Sequence, residues 1–159
     1  MKNLKKVFLL MCLSVFVISC SDATDEDLGT NGEGTFTANV AGTDFESLKV
    51  TVGAQVTNGV AAIQGSNSQG NYIRINIASY TGVGTYKTGN ALSNLNSISY
   101  GTISPVAMWM STFDIGSGTI EITEDTDSTI SGTFSFTGFN ASDSSTKNIT
   151  NGSFSAPKN

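Results

Sequence analysis

The sequence predicts an all-β fold, either an antiparallel β-sandwich or a flattened β-barrel of about nine or ten strands. From Thr35 onward, apolar residues alternate with polar ones, and this period of two places every second side chain on one face of a sheet. The 17 glycines all follow Leu28, and charged residues make up only 13% of the chain. Such a composition is typical of short strands joined by tight turns.

Residues 1–19 predict a lipoprotein signal peptide. Three lysines open the segment, and an apolar run of about a dozen residues ends at Ile18. This is the layout of a secretory signal, and the run is shorter than the roughly 20 residues of a membrane span. It leads into Val17-Ile18-Ser19-Cys20, which resembles the bacterial lipobox. The resemblance implies cleavage before Cys20 and acyl chains on its thiol, and two or more chains hold a protein stably at a membrane.

Residues 20–33 predict an acidic, flexible tether behind the lipidated cysteine. The segment carries Asp22, Asp25, Glu26 and Asp27, and its only sizeable apolar residue is Leu28, so it cannot bury enough surface to order itself. The acidic residues resemble the export signal of surface lipoproteins of Bacteroidota. That resemblance implies an outer-membrane location at the cell surface, with the periplasmic face of the same membrane as the alternative.

Residues 34–159 predict a single all-β domain whose strands are recognised, in chain order, by their inward residues. The first runs are marked by Phe36, Ala38 and Val40, by the alternating apolar residues from Leu48 to Val56, and by Ile73, Ile75 and Ile77. Residues 106–113 follow and are apolar on both faces. The last runs are marked by Ile120 and Ile122, and by Ile130, Gly132, Phe134 and Phe136.

Turn sequences separate these runs, at residues 41–44, 58–59, 68–71, 81–82, 116–118 and 125–128. Asn58-Gly59 suits a type I′ hairpin because both residues tolerate positive φ. Connections this short form hairpins, whereas parallel strands need long crossovers, so the predicted sheet is antiparallel. Residues 91–95 are compatible with one helical turn.

Several of these segments are also structural motifs, namely Phe36-Thr37-Ala38-Asn39-Val40 with Gly42 and Phe45, Gly84-Thr85-Tyr86, Gly118 to Thr123, Ile130 to Phe136, and Asn151-Gly152-Ser153-Phe154. Through them the chain resembles a family of uncharacterised small lipoproteins of Bacteroidota. The resemblance covers nearly all of Gly34 to Pro157. It concerns turns and core positions, so it implies the fold and brings no functional residues.

The composition argues against several classes of function. The chain has no histidine, and Cys12 and Cys20 both precede the domain, which removes the commonest general base, the commonest metal ligand and any internal disulfide. Cleavage before Cys20 leaves five basic residues against thirteen acidic ones, a formal charge of −8, which disfavours nucleic-acid binding. We predict no catalytic residues, no metal and no cofactor. Calcium is the alternative for the acidic turn at 124–127, which lacks the EF-hand spacing.

Two groups of residues are candidates for ligand binding. Tyr72, Arg74 and Tyr80, with Asn76 between them, are predicted on the polar face opposite the isoleucine triplet. Aromatic platforms beside a guanidinium suit a glycan, acidic ones included, although ordinary cross-strand pairs would look the same. Trp109 lies in the doubly apolar run 106–113, which is either a covered central strand or an exposed hydrophobic interaction surface.

The sequence therefore predicts a non-enzymatic lipoprotein that is attached to the outer membrane through Cys20 and binds a glycan, a peptide or a partner protein. The alternative is a structural or accessory subunit that docks on an envelope complex through the Trp109 strand. A carboxylate hydrolase is a third hypothesis, since glycosidases need only two acids, but no motif selects a pair.

Overall fold

The structure is a computed structural model that describes residues 33–159. The predicted signal peptide, Cys20 and all of the predicted tether except Glu33 lie outside the described residues. Within residues 33–159, no helix has the length and apolar character that crossing a membrane requires.

Eleven β-strands and one short 3-10 helix form the described chain. The strands are β1 Thr35–Val40, β2 Thr43–Glu46, β3 Gly53–Thr57, β4 Val60–Ser66, β5 Tyr72–Ile77, β6 Gly84–Thr88, β7 Ser97–Ile103, β8 Val106–Thr112, β9 Ser117–Asp125, β10 Thr129–Asn140 and β11 Ser145–Pro157. The helix, η1, spans Lys49–Thr51. The predicted all-β class is confirmed.

The strands form one antiparallel sheet that curls into a half-barrel. Its main path has the order β2-β1-β11-β10-β8-β7-β5-β4-β3, and the pair β6-β9 attaches to β10. Strand β3, at one end of the path, lies beside the end of β11. Ala54 of β3 pairs with Lys158, and the backbone N–H of Asn159 donates to the Ala54 carbonyl at 3.0 Å. The sequence left a β-sandwich and a flattened β-barrel as alternatives, and the observed half-barrel is closer to the barrel.

The core fills the inside of this curl with the residues that the alternation predicts. Ile73, Ile75 and Ile77 are fully buried, and so are the inward residues of β9 and the first half of β10. Phe36 lies at the centre of an aromatic cluster, with ring centroids 5.2 Å from Phe134 and 5.8 Å from Phe154. The period of two has thus identified the buried face of the sheet.

The predicted strand at 48–57 is half wrong, because β3 begins only at Gly53 and η1 precedes it. At the break, the Thr51 hydroxyl lies 2.7 Å from the Leu48 carbonyl and 2.8 Å from the Ser66 carbonyl, to one of which it donates, and it accepts from the Ser66 N–H at 2.9 Å. Val50 is consequently 68% exposed. Residues 91–95, predicted as a possible helical turn, form a reverse turn closed by a bond from the Asn94 N–H to the Ala91 carbonyl.

An ion pair joins Lys158 to Asp125 where the sheet closes, and it should make stability depend on pH. The hydrogen bond from Lys158 Nζ holds the pKa of Asp125 below its ordinary value of 3.8. Because the folded-state pKa is lowered, the pair stabilises the fold above about pH 4, and this contribution is lost as the pH falls through the lowered pKa. We expect Asp125→Asn to reduce the acid-induced loss of unfolding free energy, measured by urea denaturation between about pH 5 and pH 2.

Asp127→Asn is the matched control for this titration, because Asp127 is an exposed acid of the same turn. This variant should retain the pH slope of the wild type. A slope in Asp125→Asn equal to that of the wild type would contradict the role given to the pair.

Candidate functional site

The outer face of β3, β4, β5, β7 and β8 carries side chains in three rows that cross the strands. Cross-strand register places Ser66, Tyr72, Gly101 and Met108 in the first row, Gly53, Gln64, Arg74, Ser99 and Met110 in the second, and Gln55, Ala62, Asn76, Ser97 and Thr112 in the third. Successive rows lie about 7 Å apart, since a strand rises about 3.3 Å per residue. This surface, called the outer face below, contains two of the predicted site residues, Tyr72 and Arg74.

Tyr72 lies flat over the backbone of its neighbour in the first row. A Cβ built on Gly101 would come within 2.3 Å of the Tyr72 ring, so the ring occupies the space that this glycine leaves open. The Tyr72 hydroxyl is 4.0 Å from the Met108 sulfur. Half-buried in this way, the ring has a fixed position and presents its other side to solvent.

Arg74 is exposed and is held by a neutral group. Its Nη2 donates to Gln64 Oε1 across the strand pair at 2.9 Å. Among residues 33–159, no carboxylate forms an ion pair with this guanidinium. Arg74 is the only arginine in the chain, and its charge therefore faces solvent without a carboxylate counterion from the described residues.

A concave site, called the outer-face groove below, lies beside Arg74 and has a volume of about 880 Å³. Its polar lining includes Arg74 and the side-chain amides of Gln55, Gln64, Asn76 and Asn159. The small residues Gly53 and Ala62 line it together with Val50 of η1 and the C-terminal residues Pro157 and Asn159. No acidic side chain lines the groove.

The structure corrects the predicted position of Tyr80, which is not on the outer face with Tyr72. Strand β5 ends at Ile77, and the chain then turns so that the Tyr80 N–H donates to the Gly59 carbonyl at 2.7 Å. The ring is 8% exposed and stacks on Tyr86 at 5.8 Å, and this burial raises the pKa of the Tyr80 hydroxyl. The alternation of apolar and polar residues predicts the face of a side chain only within a strand, and Tyr80 lies beyond the end of β5.

Trp109 lies on the inner side of β8, half-buried against the core. Its ring stacks on Tyr100 at 5.9 Å, and its Nε1 donates to Ser145 Oγ at 2.8 Å. Lys147 Nζ covers the ring, 4.4 Å from its centroid. The surplus apolar residues of β8 are instead on its outer side, where Val106 is 88% exposed and Met108 is 43% exposed.

The acidic turn after β9 carries an ion pair rather than an assembled ligand set. Lys158 bonds the Asp125 carboxylate there. Among residues 33–159, no group of three or more acidic or cysteine side chains lies close enough together to hold a metal ion.

Gln55, Gln64 and Asn159 are groove residues that sequence reasoning missed as site residues. Gln55 and Gln64 are polar positions of alternating strands, so their outward direction could have been predicted. They lie near Asn159 because β3 contacts the end of β11. No local sequence pattern predicts that contact.

Comparison with known proteins identifies a family but gives no activity. Residues 32–156 match a family described as a domain of unknown function (DUF6252). No curated protein and no solved structure matches the chain. A function for this chain must therefore be inferred from the residues of the outer face.

Proposed function

The chain belongs to the DUF6252 family, and we propose that it is a non-enzymatic lipoprotein of the outer membrane, exposed at the cell surface, that binds carbohydrate in the outer-face groove. The observation that carries the binding role is the groove itself, which combines an open, partly apolar floor with four amide side chains. Amides both donate and accept hydrogen bonds, as the recognition of sugar hydroxyls requires. The lipobox-like sequence before Cys20 supports the anchor.

The arrangement of the groove also suits a binding role better than a catalytic one. Among the side chains that line it, none is a carboxylate and none is a nucleophile paired with a base, whereas hydrolysis of a glycosidic bond needs two acids on either side of the scissile bond. Tyr72 adds a fixed aromatic surface next to Arg74 on the same strand, where a saccharide that extends beyond the groove can lie.

This function can be tested with the full-length chain, purified from membranes in detergent and applied to a glycan array. We expect binding to at least one class of glycan, and we expect Gln55→Ala to weaken it about 3- to 10-fold, since one hydrogen bond contributes about 0.5–1.5 kcal/mol. Gln69→Ala, in the exposed turn before β5, is the matched control and should bind like the wild type.

The anchor is tested on the same preparations. Radioactive palmitate should label the wild-type chain and not Cys20→Ala, and the variant should leave the membrane fraction. Absence of glycan binding in every preparation would overturn the carbohydrate function, whereas an unlabelled wild-type chain would overturn the anchor alone.

A second candidate function is docking on a partner protein through the outer side of β8. Val106 and Met108 are exposed there, and Ile103 at the adjoining end of β7 is 59% exposed. Apolar residues that gather on a surface mark interaction sites. A chain that binds no glycan, but loses an envelope partner when Val106 is replaced by serine, would favour this function over the first.

A further inference from the structure

We propose that the carbohydrate taken up by the outer-face groove is anionic, and that the carboxylate of a uronic acid residue pairs with the guanidinium of Arg74. The proposal rests on the carbohydrate-binding function above and specifies the class of sugar. It is supported by the charge of the groove, by the bonding of Arg74 and by the spacing of the amides.

The first support is the distribution of charge. The chain is acidic, with thirteen acidic residues against eight basic ones, yet Arg74 is the only charged side chain among the residues that line the groove. Two lysines close to the rim are paired with acids, Lys49 with Glu33 at 2.7 Å and Lys158 with Asp125. An anion approaching this face therefore meets the guanidinium of Arg74 and no carboxylate side chain in the groove.

The second support is the way in which Arg74 is held. A guanidinium has five N–H donors in a planar fork, and the bond to Gln64 Oε1 uses one of its two terminal nitrogens. A neutral amide orients the fork without neutralising its charge. The fork geometry matches a carboxylate, which it can bind through two parallel hydrogen bonds.

The third support is the position of the amides relative to Arg74. Asn76 is two residues along the same strand, and Gln55 stands in the same cross-strand row as Asn76. The distance from the Arg74 row to this row is about 7 Å, which allows one sugar ring to place its carboxylate at Arg74 and its hydroxyls at the amides. Recognition of both groups together distinguishes a uronic acid from a neutral hexose and from a simple anion.

The test compares acidic oligomers with ligands that lack either the charge or the sugar. Oligomers of galacturonic acid and of glucuronic acid, and the same oligomers as neutral methyl esters, are titrated by calorimetry into the full-length chain in detergent. We expect the acids to bind at least tenfold more tightly than the esters, and we expect added salt to reduce that difference. Poly-glutamate is the third probe, because it carries carboxylates without sugar hydroxyls, and we expect it to bind at least tenfold more weakly than the acidic oligomers.

Variants then assign the effect to Arg74. Arg74→Gln should lower the affinity for the acidic oligomers at least tenfold and leave the esters unchanged, and Arg74→Lys should recover part of the loss because it keeps the charge without the fork. Lys87→Gln removes one exposed cation on β6 and is the matched control. Because Arg74 is exposed, thermal melting should confirm that all three variants are folded.

Each outcome decides the proposal. If esters and acids bind equally, the anionic specificity is wrong and the carbohydrate function stands. If Arg74→Gln binds the acids like the wild type, the pairing of the carboxylate with Arg74 is wrong and the carbohydrate function stands. If poly-glutamate binds as tightly as the sugars and depends on Arg74, the groove recognises acidic peptides instead. If neither these oligomers nor any glycan on the array binds, both the specificity and the carbohydrate function are wrong.

Discussion

Replacing Phe36 by alanine is expected to lower the free energy of unfolding by about 3–5 kcal/mol, the usual cost of removing a buried phenylalanine ring. Phe36 is 1% exposed and contacts three other rings, those of Phe45, Phe134 and Phe154. These rings come from β2, β10 and β11, so the cavity would open where the first and last strands meet. Urea denaturation followed by circular dichroism would measure the loss.

Phe113→Ala is the matched control for this substitution. The same atoms are removed, but Phe113 follows β8 and is 41% exposed, so its loss should cost less than about 1 kcal/mol. Similar losses for the two variants would show that the Phe36 cluster is not the centre of the core.

The second large effect is expected from adding a single methyl group at Gly132. A Cβ at this position would lie 2.2 Å from the Glu121 carbonyl oxygen and 2.9 Å from the Phe154 ring. The first of these atoms belongs to the backbone of β9 and cannot rotate away, so β9 and β10 would have to separate locally. We expect Gly132→Ala to cost about 3 kcal/mol, at the upper end of overpacking effects, measured by the same denaturation.

Gly53→Ala provides the comparison within another strand. A Cβ there meets only the Asn159 side chain, at an ordinary contact distance of 3.4 Å. This variant should be as stable as the wild type or more stable, because alanine restricts the unfolded chain. Equal destabilisation by the two substitutions would contradict the close approach of β9 to Gly132.

The sequence was sufficient for the fold class and for the inward face of most strands, because a period of two is a local property. Each inward residue of β1 and β5 was predicted, and each is buried. The number of strands was predicted less accurately, as about nine or ten against the eleven described. Strand β2 is only four residues long, and the apolar run before β3 contains a 3-10 turn.

The candidate site was predicted in part, for a related reason. Tyr72 and Arg74 lie within β5, where alternation holds, and both are on the outer face. Tyr80 was misplaced because it follows the end of the strand, and the exposed side of β8 could not be chosen while both sides were apolar. The groove itself depends on the contact of Ala54 with Lys158, residues that are far apart in the chain.

The pairing of β1 with β11 has a consequence for the time at which the chain can fold. Thr35 pairs with Ser155, so the first strand finds its central partner only when nearly the whole chain is present. Sheets built from such distant pairings fold slowly, within about milliseconds to seconds. In a chain emerging from a ribosome, β1 therefore stays without this partner until the last strand arrives, whereas the hairpin of β3 and β4 has both of its strands much earlier.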